Sequence, residues 1–363
     1  MRGVGIKGEM AGDGERAYFA AANSGKGFVS FFEELFFGDG IKERYIIKGG
    51  PGTGKSSFMR RAALRAKARG RQTELYYCSS DPSSLDGVVI DGRIAFIDGT
   101  APHSYDTVLP GACDRIVDLG AFWDADILRE RAEEIRTLGK VKKDAYSRAY
   151  GYLGSALALR NATDKLLSGC VTHQKLIGAA SRCAERLGVG NCRGILRTCQ
   201  TQAHGVSGLV SLPTLWEIAQ IRHAVEDYYG TAYLFLGALA EDARANGCEV
   251  WVSRDTVDTE RLCQVFFPHT GELFYITAEG KEQPECEGKI INMKRFVDAS
   301  SLSLVRREAR AAKGAYDTLI SLASSALRDA GAAHMALEDI YVPSMDFSTQ
   351  RGFCDRLLDG IDM

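Results

Sequence analysis

The sequence lacks long hydrophobic runs. No apolar stretch approaches the ~20 residues that a bilayer-crossing helix needs, so no membrane span is expected. It also lacks an excess of charge of one sign. Its 45 Lys and Arg face 47 Asp and Glu, a formal net charge of -2. Composition therefore gives no sign of a basic groove for nucleic acid. Ten cysteines are present, with no Cys-x-x-Cys pair among them. The tightest group, Cys170, His173, Cys183, Cys192 and Cys199, fits none of the spacings zinc sites use. The cysteines read as reduced thiols in or near cores. The opening residues, MRGVGIKGEMAGDGERAYF, lack the uninterrupted apolar stretch of a signal peptide, and a cytoplasmic protein is the expectation.

What remains is ordinary globular composition, 45% hydrophobic and 25% charged, in a chain of 363 residues long enough for two domains. One stretch stands out. Residues 44–57 read Arg-Tyr-Ile-Ile-Lys-Gly-Gly-Pro-Gly-Thr-Gly-Lys-Ser-Ser. Gly49, Gly50, Pro51, Gly52, Thr53, Gly54, Lys55 and Ser56 match G-x-x-x-x-G-K-[ST], the phosphate-binding loop. The flanks agree with it. Tyr45, Ile46 and Ile47 predict a strand before the loop, and the Ala/Arg/Leu-rich run after Lys55 predicts a helix stopped by Gly70. Glycines let successive N–H groups point at a phosphate, and the helix N-terminus adds partial positive charge. Lys55 would reach the β- and γ-phosphates, Ser56 would place its hydroxyl on Mg²⁺, and Ser57 completes the binding set.

A metal-bound triphosphate also needs a carboxylate. Residues 93–100, Arg-Ile-Ala-Phe-Ile-Asp-Gly-Thr, read as a strand ending in Asp98, beside the loop. The competing reading is an aspartate that opens a turn at Gly99. Asp81 follows a strand over 73–77 and could position a water or an acceptor; its competing role is a turn or helix cap. His103 could touch substrate or be an ordinary solvated loop residue.

The sequence also repeats itself. Ile116, Phe122, Asp124, Ala125 and Leu128 recur 174 residues later as Ile290, Phe296, Asp298, Ala299 and Leu302. Ala145-Tyr146 recurs as Ala315-Tyr316, and Ser155-Ala156-Leu157 as Ser325-Ala326-Leu327. The expected organisation is an α/β protein in three parts: a P-loop domain with a parallel sheet and a helical arm over 1–170, a linker over 171–199, and a degenerate copy over 200–363. The arms are expected over 126–165 and 300–338, where apolar residues follow a helical period among charges. In the second copy, Glu226 to Tyr233 stands in place of the loop, without a lysine, and Thr277 is expected at the place of Asp98. That half is expected not to bind nucleotide productively.

These motifs together resemble an uncharacterised family of bacterial P-loop ATPases built from two tandem halves. The resemblance rests on Asn23 with Gly27-Phe28-Val29-Ser30, on Lys48 to Ser56, and on Cys78-Ser79-Ser80-Asp81-Pro82 with Ser84-Leu85-Asp86-Gly87. Asp98-Gly99-Thr100-Ala101-Pro102-His103 and Asp118-Leu119 with Phe122-Trp123-Asp124 complete it. It is close over residues 20–165 and faint over 200–363. It implies a P-loop fold and ATP binding. In the family the second half often keeps its own loop; here it does not. Three functions fit: an Mg²⁺-dependent ATPase coupled to a conformational change or a partner, a small-molecule kinase, and a nucleotide-gated scaffold. No Asn/Thr-Lys-x-Asp segment of guanine-specific proteins is present, which favours ATP over GTP.

Overall fold

A computed structural model describes residues 16–102, 104–190, 193–278 and 287–363. The first half opens with β1 (Arg16–Phe19), the hairpin β2 (Ala21–Ser24) and β3 (Gly27–Ser30), and the short helix α1 (Phe32–Phe36). Then come β4 (Glu43–Lys48), α2 (Lys55–Ala68), β5 (Thr73–Tyr77), β6 (Leu85–Ile90), β7 (Ile94–Asp98) and β8 (Asp114–Asp118). Helices α3 (Ala125–Glu130), α4 (Ala132–Ser168) and α5 (His173–Leu187) follow. The second half runs in the same order: β9 (Leu196–Thr198), β10 (Gln202–Gly205), β11 (Gly208–Ser211), α6 (Thr214–Ile218), β12 (Ile221–Asp227) and α7 (Ala232–Ala245). It continues with β13 (Val250–Arg254), β14 (Leu262–Phe267), β15 (Glu272–Ala278), β16 (Ile290–Asn292), α8 (Ala299–Tyr341) and α9 (Phe347–Asp359).

Each half builds a six-stranded sheet. The orders are β1-β5-β6-β7-β4-β8 and β9-β13-β14-β15-β12-β16, and every pair has the same direction in both. This match is compatible with a tandem duplication. The sheets are mixed, not parallel as expected: β6 and β14 run antiparallel to both neighbours. Only residues 78–84 join β5 to β6, and a chain that short turns back instead of crossing over. The recurring aspartates have a plain cause. Asp124 caps α3, accepting from the N–H groups of Asp126 and Ile127, and Asp298 caps α8 through the N–H of Ser301.

The halves exchange parts. The long helices α4 and α8 pair antiparallel, with Lys142 against His334, Arg148 against Asp329 and Arg160 against Tyr316. Beyond its arm, each half sends a helix to the other. Leu176, Ala180, Ala184 and Leu187 form one stripe of α5 and are buried against Phe235, Leu239 and Ala243 of α7. Cys354 and Leu358 of α9 are buried with Phe58, Met59 and Ala62 of α2. The hairpins cross as well: Gly25 N–H donates to the Val257 carbonyl and Val206 N–H to the Ser80 carbonyl, both at 2.9 Å. Residues 171–199 thus hold α5 and β9, which are built into the second half. The end of the chain is built into the first.

Candidate functional site

The glycine loop lies where the sequence places it, between β4 and α2. Tyr45, Ile46 and Ile47 are buried in the sheet, and Ile47 pairs with Asp98 on one side and Val117 on the other. Gly52 and Gly54 take φ of 68° and 78°, which residues carrying a Cβ rarely adopt. Thr53 is buried and ties the loop by donating its hydroxyl to the Gly50 carbonyl at 3.0 Å. From Gly52 to Ser57, no main-chain N–H group has an acceptor among the described residues; the first helical bond is Phe58 N–H to the Gly54 carbonyl. A row of free N–H groups at a helix start is an anion-binding arrangement.

Lys55 lies across this loop. Its ammonium donates to the carbonyls of Gly49 and Gly50 at 2.9 and 2.8 Å and stands 3.7 Å from Asp98 Oδ2. Asp98 accepts from Thr100 N–H at 2.9 Å and from the Thr100 hydroxyl at 2.5 Å. Burial pushes its carboxyl above the usual range, while Lys55 and Thr100 pull it back. The hydroxyl of Ser56 accepts from Leu85 N–H at 3.0 Å, tying the loop to the start of β6. Ser57 is exposed. Gly50 and Pro51 complete the turn, and a Cβ on Gly50 would meet Trp123 at 3.1 Å. Asp81 takes the turn role: its carboxylate accepts from the Ser83 N–H and hydroxyl. His103 and Cys192 lie outside the described residues.

Several neighbours were not anticipated. Asp86, on a strand buried at every position, places a second carboxylate in the field of Asp98. A lone acid in an otherwise apolar strand was the available signal. Lys142 of α4 contacts His334 Nδ1 of α8 at 3.0 Å. Burial, Lys142 and Lys55 bring His334 down to about 4, and burial and Lys55 also lower Lys142. Two ammonium groups therefore share one field with a neutral imidazole. The second half also touches the loop directly. A Cβ on Gly52 would meet Val342 Cγ2 at 2.6 Å, and one on Gly54 would meet Gln350 Nε2 at 3.4 Å. The sequence could not show these contacts, because Val342 and Gln350 lie roughly 300 positions after the loop residues they meet.

The matching loop of the second half is built differently. Counted from the equivalent strand positions Lys48 and Glu226, it is shorter by one residue, and Ala232 opens α7 where Lys55 opens α2. Asp227 Oδ1 accepts from the N–H groups of Tyr229, Gly230 and Thr231 at 3.2, 2.8 and 3.0 Å. Burial raises this carboxyl, and those same N–H groups oppose the rise. A side chain thus fills the nest that stands open in the first half. Strand register corrects one expectation: Ile276, paired with Val225, holds the place of Asp98, and Thr277 comes one residue later.

Among the described residues no helix is long and apolar enough to cross a membrane, and no three potential metal ligands cluster. Comparison of the chain with protein-family models, curated proteins and solved structures gives no match.

Proposed function

We propose that the chain binds a nucleoside triphosphate, ATP with Mg²⁺, on the loop Gly49 to Ser56 and hydrolyses it, and that the second half is a twin that does not bind nucleotide. One contrast carries this reading. Loop N–H groups that lack an acceptor in the first half are satisfied in the second by the carboxylate of Asp227. The free N–H groups and Lys55 would hold the phosphates, Lys55 exchanging two loop carbonyls for phosphate oxygens. Lys142 adds positive charge beside them. The hydroxyl of Ser56 and the carboxylate of Asp98, with Asp86 nearby, are the hard oxygen donors that Mg²⁺ prefers. When bound, the ion would neutralise charge on the phosphate oxygens.

The contacts of Val342 and Gln350 with the loop favour a conformational output. Any shift of Gly52 or Gly54 is felt at the junction of α8 and α9.

Calorimetric titration with ATP and Mg²⁺, followed by phosphate-release assays, tests this proposal. Wild type should bind one nucleotide and release phosphate. Lys55→Ala should weaken binding by about tenfold or more and abolish release. Failure of the wild-type chain to bind nucleotide would sink the reading. Transfer of phosphate to an added metabolite would replace hydrolysis with a kinase reaction.

A further inference from the structure

A cavity of about 890 Å³ lies over the second half's loop, at the place corresponding to the glycine loop of the first. Sites for small molecules span roughly 300–1,000 Å³. Its floor is the loop from Asp227 to Gly230 with the end of β15, and its walls are α4 and α8.

The chemistry of the lining is specific. Asp227 already occupies the main-chain N–H groups of the floor, so a phosphate chain has no cradle there. The inner wall is apolar: Leu167 and Leu302 are buried together, with Tyr229, Val297 and Ala309 packed against them. The rim is cationic. Arg306 and Arg310 stand one turn apart on α8 and line the cavity. Neither has an acidic partner among the described residues. Lys294 lies 3.8 Å above the ring of Tyr228 at the floor. The acids nearby are already engaged. Asp164 pairs with Arg261 at 2.5 Å, and Asp255 with Arg160 at 2.6 Å. The result is an oily chamber with a positive mouth.

We propose that this cavity binds a small organic anion with an aryl or alkyl body, its charge held by Arg306 and Arg310 and its body against Tyr229, Leu167 and Leu302. This goes beyond the nucleotide reading and does not depend on it.

The test titrates the full chain with 1-anilinonaphthalene-8-sulfonate, an aryl sulfonate whose fluorescence rises in apolar surroundings. Wild type should bind one probe per chain, and ATP with Mg²⁺ should not displace it. The double variant Arg306→Glu/Arg310→Glu should weaken binding by about tenfold or more, since two exposed cations become repulsive. Both sites are exposed, so the fold should survive, with an unchanged circular dichroism spectrum and unfolding midpoint. Ala309→Trp, which fills the chamber, should abolish binding. Lys55→Ala should leave it unchanged. N-phenyl-1-naphthylamine, which lacks the sulfonate, should bind about tenfold more weakly. The proposal fails if no single-site binding appears, if the double variant binds as wild type does, or if ATP displaces the probe.

Discussion

Asp227 and Lys55 solve the same local problem in opposite ways. Both loops end at a helix start, where main-chain N–H groups lack intrahelical partners. In the second half an aspartate one residue past the place of Lys48 turns its carboxylate back onto three of them. In the first half glycine stands there, and nothing among the described residues substitutes. Asp227→Ala should therefore cost about 1–2 kcal/mol of stability, in the range of a lost helix cap. Chemical denaturation measures that loss. Thermal unfolding with added inorganic phosphate should then recover part of it in the variant, beyond whatever stabilisation phosphate gives wild type at the open loop of the first half. Much of the first site was legible at this scale. Strand, loop, lysine and Asp98 sit where spacing placed them, because a chain carries its own instructions for a turn between a strand and a helix. Asp227 was legible only as a missing lysine. Its role depends on a side-chain rotamer, and spacing says nothing about that.

At the scale of elements, the crossing of α5 and α9 matters most. Apolar period revealed the arms over 126–165 and 300–338, now α3 with α4, and α8. It could not reveal which half each following helix joins, because an apolar stripe specifies burial without naming a partner. Helix α9 completes the core behind the glycine loop: Leu358 is fully buried among residues of the first half. Arg65 of α2 also pairs with Asp355 and Asp359 of α9 at 2.9 and 2.6 Å, though such half-exposed pairs contribute little. Leu358→Ala should cost about 2–4 kcal/mol through the cavity it leaves. Hydrogen exchange should show the loss in α2 and the glycine loop, at the far end of the sequence from Leu358. Exchange confined to α9 would count against this packing role. The antiparallel strands β6 and β14 were also missed, because alternation identifies a strand without giving its direction.

At the scale of the molecule, the halves meet through buried polar groups as well as apolar ones. His204, on the crossing hairpin, is nearly buried, and burial lowers its pKa from 6.5 to about 4, with Asp255 opposing. The folded state therefore refuses a proton that the unfolded chain accepts. Its contribution is intact above pH 6.5 and is lost as pH falls toward 4. Between pH 7 and pH 5 stability should fall by about 2 kcal/mol from this group. His204→Gln should flatten that limb when denaturation is followed against pH.

The exchange of α5 and α9 has a consequence for how this chain can change. Two identical chains trading helices in this way would form a symmetric pair, and every substitution in such a pair appears twice. Joined in one polypeptide, the two halves are free of that constraint. One loop can keep its lysine while the other fills its nest with a carboxylate. Each half still depends on the other for its core, so neither can be discarded. Physical interdependence keeps both halves, and covalent linkage allows them to differ.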